Sequence, residues 1–169
     1  MKLLSYLLIV STVLSLTSCK NNDEPPTETL LPVVNAYVPE TIRFDKNDTE
    51  TVEKIKAFDD KTIVVNDKSE LPDDPIGFSN AYSGINFENY TLLLAYNVYD
   101  WTIDTYGHRY YYDYRDGAFN WAIRIGSATK PGSGDLKFSR YALLVHKIPE
   151  GSKVKIWFSL GALNWDLDQ

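Results

Sequence analysis

Two histidines, His108 and His146, are the side chains best suited to move protons near neutral pH. An imidazole works in catalysis when a nucleophile or a carboxylate sits within hydrogen-bond reach. Asp104 and Asp113 stand near His108 in the sequence, but strand spacing alone does not bring them onto the ring. The single cysteine, Cys19, lies close to the start of the chain, so a nucleophile elsewhere would have to be Ser or Thr. No Gly-x-Ser-x-Gly elbow is present to expose one. No His pair has metal-ligand spacing, and thiolates are missing beyond Cys19. The acidic doublets Asp59-Asp60 and Asp73-Asp74 lack the alternation around a glycine that a calcium loop needs, and they read as solvated loop charge. Pro131-Gly132-Ser133-Gly134-Asp135 lacks the Gly-Lys-Ser/Thr end of a phosphate loop. The sequence therefore predicts no metal, no cofactor and no catalytic centre.

A tyrosine-rich stretch is the better lead to function. In Gly107–Gly117 the residues alternate: His108, Tyr110, Tyr112 and Tyr114 share one face, and Arg109, Tyr111, Asp113 and Arg115 share the other. Asp116-Gly117 is a hairpin turn signal. The row that includes Tyr110 and Tyr112 either packs a core or forms an exposed platform. If it faces inward, Arg109, Tyr111, Asp113 and Arg115, with Trp101 nearby, are the expected contacts for a partner. Tyr and Trp offer large, stiff contact area with a polar tip, and sugar rings stack on them as protein side chains do.

The start of the chain explains the lone thiol. Lys2 precedes an apolar run from Leu3 to Leu16, too short to span a bilayer but suited to an export leader. Leu16-Thr17-Ser18-Cys19 resembles a bacterial lipobox. That resemblance implies removal of residues 1–18 and attachment of a lipid to Cys19, which would hold the protein on a membrane. Lys20-Asn21-Asn22-Asp23-Glu24 is similar to the short acidic tag of surface lipoproteins of Bacteroidetes, with Asn at two places where acids are commoner. The expected location is the cell envelope, as an outer-membrane lipoprotein facing outward, with an inward-facing one as the alternative.

A second likeness concerns the domain. Ser69-Glu70-Leu71, followed by Ile85-Asn86-Phe87-Glu88-Asn89-Tyr90-Thr91-Leu92-Leu93-Leu94, resembles a pattern in small Bacteroidetes lipoproteins of unassigned function. The C-terminal domain of a protease-complex lipoprotein from treponemes is similar. Asn86 stands where Asp is usual, and Pro72 cuts the helix start short. The likeness implies a helix-plus-antiparallel-sheet module and association with another protein. It carries over no catalytic or binding residue.

Elements must now place these side chains. Residues 19–40 include Pro25, Pro26, Pro32 and Pro39 and read as a lipidated cysteine and tether, with Leu30 to Val34 docking as a first edge strand. Residues 41–169 read as one β-rich domain. A helix is expected over 48–58, with Asp48 or Thr49 as cap and Val52, Ile55 and Phe58 on one face. Strands are expected over 41–44, 61–65, 91–104, 107–115, 118–126, 136–148 and 152–163, and a helical turn near 69–71. The stretch Thr91-Leu92-Leu93-Leu94-Ala95-Tyr96 is apolar on both faces. The fold class is mainly β, an α+β arrangement with an antiparallel meander sheet or partly closed barrel and one or two short helices from the first half.

Net charge bounds the partners. The chain carries −6, and loss of Lys2 with the leader would make it one unit more negative. No basic patch is visible, so nucleic acid is not an expected partner. The functional expectation is a cell-envelope lipoprotein with a non-catalytic binding domain for a protein or glycan. The alternatives are a structural subunit of an envelope complex and an envelope hydrolase using a histidine.

Overall fold

The computed structural model describes residues 27–77, 82–100, 105–126 and 135–160. Nine strands and one α-helix are found there: β1 (Glu28–Leu30), β2 (Val33–Ala36), β3 (Glu40–Asp45), α1 (Thr49–Lys56), β4 (Thr62–Val65), β5 (Tyr90–Tyr99), β6 (Thr105–Asp113), β7 (Ala118–Gly126), β8 (Asp135–His146) and β9 (Lys153–Leu160). The molecule is mainly β, with sheets that are rich in antiparallel pairs and not closed into a barrel.

The strands form two sheets. The front sheet runs β1-β6-β7-β9. The central sheet runs β2-β8-β5-β4, and β3 pairs with the first half of β8 while β2 pairs with the second. Among the described residues, β6 and β7 form a tight sequential hairpin, while the consecutive β4 and β5 pair antiparallel across a long connection. β5 crosses to pair with β8, and β9 lies parallel to β7. Strand order of this kind is set by contacts between distant segments, which local periodicity does not encode.

Alternation along β5 and β8 divides the core in two. Leu93 and Ala95 of β5 and Tyr141, Leu143 and Val145 of β8 meet Tyr110, Trp121, Ile123 and Ile125 of the front sheet. Leu92, Leu94 and Tyr96 of β5 and Phe138, Ala142 and Leu144 of β8 point the other way, where Ile55 of α1 and Tyr82 cover them. The central sheet is thus buried on both faces, which accounts for the two-sided apolar run in β5. At about 25 cal/mol per Å² of apolar surface, such residues supply the main driving force for folding a chain without disulfides.

The covering layer is built from local signals. Asp48 caps α1 by accepting from the Thr51 N–H at 3.2 Å, and Val52 and Ile55 face inward. Asp67 and Glu70 form a capping box around a 3-10 turn at Lys68–Glu70. Thr91 then ties this layer down: its hydroxyl donates to Asn66 Oδ1 at 2.7 Å and accepts from the Ile148 N–H at 3.0 Å.

Residues 28–36, expected within the tether with one edge strand over Leu30 to Val34, form two short strands instead: β1 at the edge of the front sheet beside β6, and β2 beside β8 in the central sheet.

Candidate binding face

The front sheet has one face on the core and one turned outward. Register identifies the outward residues. Gly107, Arg124 and Ser159 form one row, and Arg109, Ala122 and Trp157 the next. Leu30, Tyr111, Asn120 and Lys155 make a third row, and Glu28, Asp113, Ala118 and Lys153 a fourth. Their inward neighbours Tyr110, Trp121 and Ile123 are 5% exposed or less.

Interactions on this face lock its side chains together. Arg109 pairs with Glu28, and its guanidinium lies 5.3 Å from the centre of the Tyr111 ring. Burial is the first cause raising the Tyr111 pKa above the ordinary phenol value, and the Trp157 indole acts weakly in the other direction. Trp157 remains 38% exposed. Ala122, midway between Arg109 and Trp157 in the register, is buried, so the larger groups flank a floor with no side chain beyond Cβ. At the hairpin end Asp113 accepts from the Arg115 N–H at 2.9 Å and from its guanidinium at 3.1 and 3.2 Å. That bond holds the Asp113 carboxyl below the usual carboxylate range. Lys155 pairs with Asp116 across the turn.

The sequence-predicted residues fall out as follows. Arg109, Tyr111 and Asp113 share the outward face, and Arg115 sits beside Asp113 in the turn. The opposite row splits. Tyr110 is core, Tyr112 is half-buried against Phe119, and Tyr114 is exposed, its hydroxyl accepting from Thr29 at 3.1 Å. Cys19 and Trp101 lie outside the described residues. Trp157 was not among the expected contacts. The signal for it exists in Lys153–Leu160, where Val154, Ile156 and Phe158 alternate with Lys155 and Trp157.

Neither histidine meets a catalytic partner among the described residues. His108 is on the core side of β6, stacked on Tyr106, with Nδ1 3.3 Å from the Tyr106 hydroxyl. His146 is exposed at the end of β8, its ring 5.9 Å from that of Tyr90. No group of three or more His, Cys, Asp or Glu there could hold a metal ion. No protein-family model, curated protein or solved structure matches this chain. The site must therefore be read from its own geometry.

Burial lowers the His108 pKa below 6.5. The unfolded imidazole then binds more protons than the folded one at mildly acidic pH. Stability from this group is fully present above pH 6.5 and is lost as pH falls through the lowered folded value. His108→Gln should flatten that part of the profile, checked by urea midpoints at pH 7.5 and pH 5. An equal loss in both proteins would exclude this role.

In each acidic doublet, expected to be solvated loop charge, one carboxylate holds the fold, and that of Asp74 is buried. Asp59 Oδ1 accepts from the Val98 N–H at 2.8 Å, capping the edge of β5. Asp74 is buried: its Oδ2 accepts from Arg140 Nη1 at 2.7 Å and from the Tyr96 hydroxyl at 3.0 Å. Glu40 pairs with the same guanidinium, and the Tyr82 ring lies 5.4 Å from it. Burial pushes the Tyr82 phenol up to about 12 and the Tyr96 phenol well above its ordinary value. This cluster joins the covering layer to the central sheet and has no role in the front face. A shallow cavity of about 440 Å³ near Asp67 and Glu88 is also spoken for, since the Lys147 ammonium there bonds the carbonyls of Asn66 and Phe87 at 2.9 and 2.7 Å.

Proposed function

We propose that this protein is a cell-envelope lipoprotein, anchored by lipid on Cys19, whose domain binds a protein or glycan partner through the outward face of the front sheet and transforms nothing. One observation carries the reading. The central sheet is covered on both sides by the protein's own residues, whereas among the described residues no buried apolar cluster forms on the outer front face. That face presents Tyr111, Trp157 and Arg109, the residue types over-represented where binding energy concentrates.

The anchor geometry is compatible. Nine residues lead from Cys19 to Glu28 at the edge of the front sheet. At about 3.4 Å per residue the lipid holds that edge within roughly 30 Å of the membrane surface. No helix among the described residues is long and apolar enough to cross a membrane.

A photo-crosslinking amino acid placed at position 157 should trap a partner in intact cells, and the same group at Glu50, exposed on α1, should trap none. Labelling with a radioactive fatty acid should depend on Cys19. Equal crosslinking from both positions would remove the face from consideration, and label surviving Cys19→Ala would remove the anchor.

A further inference from the structure

We propose that the partner is an acidic glycan, a chain carrying uronate carboxylates, laid across Trp157 and Tyr111 of the front face. The inference rests on the binding-face reading above and names its ligand class.

Charge points to the anion. The outward rows of the front-sheet strands hold four cations, Arg109, Arg124, Lys153 and Lys155, against two carboxylates, Glu28 and Asp113. The whole chain is at −6. Cations thus outnumber carboxylates on these outward rows, although the chain as a whole is acidic. Arg109 pairs with Glu28 and Lys155 with Asp116, but these pairs are partly exposed, with side chains 31–43% accessible. Pairs in such surroundings are weak. Guanidinium has five donors, and one carboxylate does not exhaust them, so a ligand carboxylate can share the fork.

Ring geometry points to the sugar. Register sets Trp157 across from the buried Ala122, with Tyr111 in the adjoining row and its ring centre 5.3 Å from the Arg109 guanidinium. A pyranose offers an apolar C–H face and hydroxyl edges, which suits a ring platform with polar tips. A protein partner fits less well. Stable protein interfaces bury about 800 Å² per partner around an apolar centre. Among the described outward residues of these strands, only Leu30 and Trp157 are exposed large apolar side chains.

Binding is measured with the full-length protein in detergent against polygalacturonate, hyaluronan and alginate, three uronate polymers of different linkage. At least one should bind. Its methyl-esterified form, which keeps the rings and loses the charge, should bind at least tenfold more weakly, as should poly-glutamate and oligo-dT, which keep charge without the pyranose. Trp157→Ala should weaken binding tenfold or more with an unchanged thermal midpoint, and Trp157→Phe should stay within about threefold. Failure of all three polymers overturns the ligand class, and if crosslinking from position 157 still traps a partner, the face itself survives. Equal binding by Trp157→Ala, or equal binding of the esterified polymer, poly-glutamate or oligo-dT, also overturns the inference.

Discussion

Replacing Asp74 by Asn should cost about 3 kcal/mol of stability and lower the thermal midpoint by roughly 10 °C. The reason is the company Asp74 keeps. Its carboxylate and the Arg140 guanidinium are both without solvent exposure, and the pair is closed by the Tyr96 hydroxyl. Breaking a buried pair by neutralising one member typically costs 3–5 kcal/mol, because the other charge is left in a medium that does not solvate it. The lower end applies here for two reasons. Glu40 still faces the same guanidinium, and an amide oxygen can keep the Ile76 N–H that Asp74 accepts at 3.0 Å.

The cost belongs to the broken pair, not to the loss of charge as such. The triple change Asp74→Leu, Tyr96→Phe, Arg140→Met removes both buried charges and the Tyr96 hydroxyl at once, leaving Glu40 able to turn to water. It should recover most of the loss and end within about 1–2 kcal/mol of the parent. Urea unfolding measures both variants. Hydrogen exchange adds location: amides of residues 71–77 should open first in Asp74→Asn, while those of β6 and β7 stay protected until global unfolding. A triple variant as unstable as the single one would show that the segment is held by shape rather than by the ion pair.

The buried pair also marks where the sequence stops being readable. Arg140 sits inside Leu136-Lys137-Phe138-Ser139-Arg140-Tyr141-Ala142-Leu143, and a cation in such a run announces a buried partner. Nothing local says that the partner is 66 positions upstream. The elements that were legible are those whose causes are local. Asp48 and the spacing of Val52 and Ile55 mark α1, and Asp116-Gly117 marks the turn that joins β6 to β7. Gly117, at φ 60°, takes a conformation glycine adopts without a Cβ clash. The alternation in β6 alone puts Arg109, Tyr111 and Asp113 on one face. It did not reveal that β9 would bring Trp157 beside them, because a parallel neighbour arrives through a crossover and leaves no turn signature.

Front and back of β7 are therefore chemically opposed, and this ties stability to the proposed site. Ala122 and Asn120 lie under the outward groups, while Trp121 between them drives into the core. The outward side chains are only as well placed as the strand that carries their floor. A loosened core should blur the spacing between Arg109 and Trp157 before it unfolds the sheet.

Trp121 makes that argument testable. Its side chain is fully buried opposite Tyr110 on one side and Ile156 on the other, within the cluster that joins the two sheets. Trp121→Ala should cost about 3–5 kcal/mol, the transfer of a large ring plus the cavity it leaves. The indole Nε1 is buried without a hydrogen-bond partner among the described residues. A buried N–H in that state costs about 1–3 kcal/mol. Trp121→Phe removes the unpaired donor along with part of the ring, so the two effects oppose. The expected net loss is about 1 kcal/mol, well below the Ala variant. Guanidinium unfolding separates the two variants, and uronate-polymer binding at 15 °C, where both are folded, reads the outward face. Trp121→Phe should bind as the parent does, and Trp121→Ala should bind severalfold more weakly despite a complete front surface. A Phe variant as unstable as the Ala variant would mean that the indole N–H is engaged after all, and undiminished binding by folded Trp121→Ala would uncouple the face from the core beneath it.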